Sequence, residues 1–206
     1  MIYASCVKEF EQSLIANMGS FNLDLSAETV KRLGEYYSLL TRWNDRLHLV
    51  APCSAEEFAV RHVLESLLLL KHLPSNARVA DIGSGGGLPI IPCLIARPDL
   101  QATLIESSQK KAVFLREASN QLHLNATIIA RPFEQVEPPS VSLVTCRALE
   151  QFMQKLPALI EWAPEGSTLL LFGGESLREE LRKANVNFES LLIPQSEKRF
   201  LFLATD

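Results

Sequence analysis

From Arg78 onward the apolar residues change their spacing every few positions, and this constrains the fold more than any other feature of the chain. "RVADI" is a short apolar run of strand length, and "LPIIPCLIAR" after it is helical, with Pro89 and Pro92 in its first turn, where proline is tolerated. The sequence continues with "QATLIE" as a strand, "SQKKAVFLREASNQL" as a helix, and "ATIIA" and "VSLVTC" as strands. It then gives "QFMQKLPALIEWA" as a helix interrupted by Pro157, "STLLLF" as a strand and "ESLREELRKA" as a helix. Strands that alternate with helices predict a parallel sheet covered on both faces, because parallel strands need crossover connections. "FESLLIP" and "RFLFLA" read as two strands around a turn, so an antiparallel hairpin is expected at or near one edge. Upstream the pattern is helical. Ser26 can cap a helix carrying Val30, Leu33, Tyr37 and Leu40, and Ser54 to Glu57 matches a capping box before a second apolar helix that "LPSN" ends near Leu73. The expected organisation is a helical extension over residues 1–75 packed on a core over 76–206 as one compact unit.

Four of the nine glycines fall in "DIGSGGGLP", directly after the first strand. A glycine turn between a first strand and its helix is the ligand site of a doubly wound sheet, since glycine turns tightly and lets a ligand approach the backbone. The dinucleotide fingerprint G-x-G-x-x-G is not matched, because Gly83 and Gly85 are followed by Gly87 one place early. Asp81 stands two residues before Gly83. A carboxylate there suits a cationic or zwitterionic ligand better than a pyrophosphate. D-x-G-x-G-x-G after a strand resembles the S-adenosylmethionine loop of class I methyltransferases. Glu106, at the end of the next strand, can accept hydrogen bonds from both ribose hydroxyls.

The chain has 206 residues, 47% of them hydrophobic, enough for a sizeable core. Apolar runs such as "SLLLL" are far short of the ~20 residues of a membrane span. No basic segment followed by an apolar block reads as a signal peptide, and Cys6, Cys53, Cys93 and Cys146 are too scattered for a zinc or disulfide framework, which fits a reducing cytoplasm. With a net charge of -4, any nucleic-acid surface must be a local patch. Arg42, Arg46 and Arg61 upstream, and Lys110, Lys111 and Arg116 on the helix after Glu106, are the available cations.

Taken in order, "YYSLLTRWNDRLHLV", "RHVLESLLLL", "GSGGGLPIIP", "ESSQKKAVFLREA" and "VTCRALE" resemble the RsmG family, also called glucose-inhibited division protein B, from about Leu33 to about Gly174. Its members are 16S ribosomal RNA (guanine-N(7))-methyltransferases. The resemblance implies a class I S-adenosylmethionine-dependent, Rossmann-like α/β fold preceded by N-terminal helices, and S-adenosylmethionine as methyl donor. It implies 16S ribosomal RNA or the small ribosomal subunit as partner, with the target in the decoding region. No membrane, no metal and a monomeric chain are expected with it. Gly83 and Leu88 match the family's donor-contacting glycine and the bulky residue closing the loop; Asp81, Gly85 and Gly87 complete the turn. Glu106 stands where the family usually has aspartate. Arg131-Pro132-Phe133 matches a segment that runs arginine, small residue, glutamate and borders the adenine. With Phe133 in place of the glutamate, contacts at Pro132 and Phe133 are expected from backbone and ring packing. Arg147, in Cys146-Arg147-Ala148, matches the arginine of the family's S-R-A motif and is expected to face the ligand more than to support the fold. Arg61-His62 matches an arginine-histidine pair that makes both candidate RNA contacts, although His62 fits a packed helix-face histidine equally well. Ile90 replaces a frequent glycine, and Phe172 a frequent lysine.

Guanine N7 carries a lone pair and no proton, so methylation there needs positioning rather than a base. The sequence agrees with this in showing no nucleophile–base pair. Two other readings stay open at this point. One is a class I methyltransferase acting on a small molecule or protein, which the acidic net charge favours. The other is a donor-binding module without turnover.

Overall fold

The computed structural model describes residues 2–147 and 151–205, with side chains from residue 5 onward. Ala148, and with it the end of the S-R-A match, lies outside the described residues, as do Leu149 and Glu150. Seven strands form one sheet in the order β3-β2-β1-β4-β5-β7-β6. They are β1 (Arg78–Ile82), β2 (Gln101–Ile105), β3 (Ala126–Ile129), β4 (Leu143–Arg147), β5 (Thr168–Gly173), β6 (Asn187–Leu192) and β7 (Phe200–Thr205). β1 to β5 are parallel, and β7 runs antiparallel between β5 and the edge strand β6. The chain builds outward from β1 through β2 to β3, then returns to place β4 on the other side of β1. This reversal opens a crevice at the carboxyl ends of β1 and β4.

The helices are α1 (Ile2–Asn17), α2 (Ala27–Leu47), α3 (residues 55–72), α4 (Ile90–Ala96), α5 (Gln109–Gln121), α6 (Phe152–Trp162) and α7 (Glu175–Lys183). Ser26 caps α2 by accepting from Thr29 N at 3.1 Å, and Ser54 caps α3 by accepting from Glu57 N at 3.0 Å. α4 is shorter than its apolar run: Pro89 sits at the cap and Ile90 opens the helix. α6 differs from the sequence expectation, because Pro157 does not interrupt it. Pro157 faces solvent, so the carbonyl left without a helical donor can be hydrated. α3 holds a second departure. It passes from an α turn into a π stretch, Phe58–Leu64, and back again through Glu65–Leu67 to a 3-10 end at Leu68–His72.

Alternate side chains of the central strands serve two cores. Val79, Leu104, Leu170 and Phe172 share one with α1 to α5; Ala80, Ile82, Leu169 and Leu171 share the other with α6 and α7. The N-terminal helices are therefore one wall of the sheet's own core. Phe10 of α1 stacks on Tyr37 of α2 with ring centroids 4.6 Å apart. Tyr36, one residue earlier, is fully buried and faces the sheet crevice.

Candidate functional site

The glycine turn after β1 is built by hydrogen bonds that only an open backbone permits. Gly83 N donates to Ile105 O at 2.8 Å, tying the turn to β2, and Gly87 N donates to Ser84 O at 2.6 Å. Gly83, Gly85 and Gly87 have φ of 68°, 52° and 86°, in the left-handed region that side chains resist. Their surroundings differ. A Cβ on Gly85 would meet only Gly83 O, at 3.7 Å, so the space above it is open to a ligand. A Cβ on Gly87 would overlap Ile91, so that glycine serves the packing of α4 under the turn. From the far side, the Tyr36 hydroxyl donates to Gly86 O at 2.7 Å, and burial raises its pKa.

Glu106 follows β2 and is nearly buried. Its Oε2 accepts from Gly85 N and its Oε1 from Ser108 N, both at 2.8 Å. These two bonds fix the carboxylate beside the turn. Asp81 lies deeper, at the end of β1, with no exposure. Its Oδ1 accepts from the Thr145 hydroxyl of β4 at 2.6 Å, whereas Oδ2 has no partner. Burial pushes its pKa up to about 7, against the Thr145 hydrogen bond and with help from the negative charge of Glu106.

A cavity of about 450 Å³ opens over this floor. Its size is that of a small-molecule site. Gly83, Gly85, Leu88 and Glu106 form one part of the wall, and His62 and Arg147 form another. Lys111, one of the cations read from the sequence, also lines the cavity, as do Leu49, Val50, Ala51 and Ser107, which the sequence did not single out. The 49–51 turn is held by Asn44, whose Oδ1 accepts from Val50 N at 2.9 Å and whose Nδ2 donates to Val50 O at 3.1 Å. That pairing reaches past the end of α2 and carries no local periodic signal. Arg131, Pro132 and Phe133 line a small cleft that shares Gly83 and Ser107 with the cavity. The Phe133 ring is buried edge-on against Trp162, and Lys155, which also lines the cleft, lies over the ring.

Arg147 borders the cavity, but its terminal nitrogens are engaged with α3. They donate to Arg61 O, to His62 O at 3.5 Å, to Ser66 Oγ at 3.3 Å and to Glu65 Oε2 at 3.1 Å. Its role therefore includes joining α3 to the sheet, which widens the expectation that it serves the ligand more than the fold. His62 packs its ring 5.1 Å from Phe58, and burial together with the Arg147 and Arg61 guanidinium groups pulls its pKa down to about 4. Arg61 is exposed and pairs with Glu57, away from the cavity wall. No group of three or more His, Cys, Asp or Glu among the described residues could hold a metal, and no described helix is long and apolar enough to cross a membrane.

The strand order, the open glycine turn and the acidic residue after β2 define the class I S-adenosylmethionine-dependent methyltransferase fold. Solved structures share it: an Aquifex aeolicus SAM-dependent methyltransferase aligns with TM-score 0.59 at 14% identity, covering 82% of this chain and 98% of that one. The magnesium protoporphyrin IX methyltransferase of Synechocystis, solved with bound SAM, gives 0.59 at 16% identity over 89% and 99%. The family model for rRNA small subunit methyltransferase G, GidB, matches residues 29–203. Ribosomal RNA small subunit methyltransferase G of Methylobacillus flagellatus is 34% identical over 200 residues, 94% of this chain and 97% of that one. The same-named protein of Gluconobacter oxydans is 36% identical over 168 residues, 80% and 84% of the two chains. The chain belongs to the GidB family, rRNA small subunit methyltransferase G.

Proposed function

We propose that the protein transfers a methyl group from S-adenosylmethionine to N7 of a guanine in 16S ribosomal RNA, in the decoding region of the small subunit, and works in the cytoplasm. The observation that carries this reading is the cavity over the glycine turn, with a fixed carboxylate at one side and a fixed guanidinium at the other. β1 lies between β2 and β4, so Glu106 and Arg147 flank the turn from opposite sides. Glu106 can accept from ribose hydroxyls, the open face of Gly85 admits the nucleoside, and the Pro132–Phe133 backbone borders the base. Arg147 offers its charge to the carboxylate at the amino-acid end. The donor supplies an electrophilic methyl group on a sulfonium.

The acceptor class follows from what the described wall residues offer. His62, with its pKa pulled to about 4, is a weak proton acceptor, and both Glu106 oxygens already accept backbone N–H groups. A wall that positions rather than deprotonates suits an acceptor with no proton to lose, as guanine N7 is. Lys111 and His62 at the wall, with the exposed Arg61 next to His62 on α3, would meet RNA. Digesting 16S ribosomal RNA from cells with and without the gene, and measuring 7-methylguanosine, tests the reading. Loss of one 7-methylguanosine and its return on complementation are expected, and unchanged 7-methylguanosine would overturn it.

A further inference from the structure

Behind the cavity wall lies a buried ion network that donor binding alone does not explain. Glu65, on α3, is only 1% exposed. Its Oε1 accepts from Arg199 Nε at 3.1 Å and Nη2 at 2.6 Å, and its Oε2 accepts from Arg147 Nη2 at 3.1 Å. One carboxylate thus sits between two guanidinium groups brought from the end of β4 and the start of β7. A buried charge without a partner is strongly unfavourable, so the two guanidinium groups offset the burial of the Glu65 carboxylate and hold it in place. Arg147 has little freedom left. The carbonyls of Arg61 and His62, in the π stretch of α3, and the Ser66 hydroxyl take its other hydrogen bonds. Its guanidinium also lies 5.2 Å from the centre of the Phe172 ring on β5. A charge fixed in this way acts on an anionic group without reorganising when the ligand arrives.

We propose that Glu65 is a positioning residue for the amino-acid end of the donor: it locks the Arg147 guanidinium on the cavity wall, facing the donor carboxylate. The proposal rests on reading the cavity as the S-adenosylmethionine site. Glu65 touches no ligand in this arrangement and acts through Arg147. Ser66 assists from the next position, since its hydroxyl both accepts from Arg147 and donates to His62 O. Replacing Glu65 by glutamine keeps the shape, removes the charge between two arginines and turns an N–H group toward a guanidinium.

Two probes separate positioning from general support of the fold. S-Adenosylhomocysteine carries the amino-acid carboxylate, whereas 5′-methylthioadenosine has the same nucleoside and lacks that end. Calorimetry on the full chain should show Glu65→Gln binding S-adenosylhomocysteine roughly tenfold more weakly, about the loss of one charge-assisted hydrogen bond. Affinity for 5′-methylthioadenosine should stay within about twofold, below the size of a lost hydrogen bond. Ser66→Ala, a milder change that decides the matter if Glu65→Gln fails to fold, should lose about threefold for the first probe and nothing for the second. Equal losses for both probes, no loss for either, or a gain for S-adenosylhomocysteine would overturn the proposal; a gain would mean that Glu65 competes with the donor for Arg147. A wild-type chain that binds neither probe would instead remove the underlying reading of the cavity.

Discussion

Asp81 makes the stability of this protein depend on pH in a way that one substitution should erase. The carboxyl is fully buried, only Oδ1 has a partner, and its pKa is raised from 3.8 to about 7. Tyr36, Cys93 and Glu106 are the ionisable groups close enough to feel its charge, and the Thr145 hydroxyl, at 2.6 Å, and the Ser84 hydroxyl oppose the shift by hydrogen bonding. A pKa raised in the folded state means that the native chain holds the proton while the unfolded chain has lost it. Stability therefore falls as pH rises from about 4 to about 7, by about 1.4 kcal/mol per unit, and levels off above that range. The whole penalty, from 3.8 to about 7, is about 4 kcal/mol. Between pH 5 and 7 the loss is about 2 kcal/mol, or roughly 4–8 °C in melting temperature for a chain of this size. Asp81→Asn keeps an acceptor for Thr145 and does not titrate. Its unpaired amide N–H costs about 1–3 kcal/mol, a constant that cancels when the slope is compared. Calorimetric melts of both proteins at pH 5, 6, 7 and 8 should show the variant gaining on the wild type up to pH 7 and no further. A difference that stays constant across the series would mean that Asp81 is ionised throughout in the folded protein, and the burial argument would fail.

The glycines of the turn should separate by role. Gly87→Ala, with φ of 86° and Ile91 in the way, should lose about 2–4 kcal/mol of stability in urea melts. Gly85→Val should abolish S-adenosylhomocysteine binding at a smaller cost, since its side chain enters the cavity; unchanged affinity by calorimetry would remove the turn from the site. Glu106→Ala should weaken the same ligand by about 1–3 kcal/mol, and equal affinity would refute the ribose contact. His62→Gln should leave the single-turnover rate profile unaltered in shape from about pH 6 to 9, because the imidazole is neutral over that whole range. An inflection near pH 6.5 that disappears in the variant would show that His62 titrates there.

The sequence by itself determined the sheet core and the floor of the site. Strand and helix runs from Arg78 on are legible because the central parallel strands are buried on both faces and each helix must cover one, so the apolar period reports the element directly. The glycine turn and Glu106 are local too, lying next to strand ends whose positions the same pattern gives. Pro157 misled because the helix runs through it on its solvent face, where the carbonyl it leaves without a donor can be hydrated. Only the tertiary structure decided the rest of the wall. The Val50 turn held by Asn44, Tyr36 on Gly86, and Glu65 between Arg147 and Arg199 join residues 6, 50, 82 and 134 positions apart. Hydrophobic periodicity cannot encode such polar pairs, because it records which side of an element is buried and not which distant group it meets there. Arg147 shows the difference most plainly: its place at the end of β4 could be read from the chain, but the partners that occupy its guanidinium exist only once α3 has packed against the sheet.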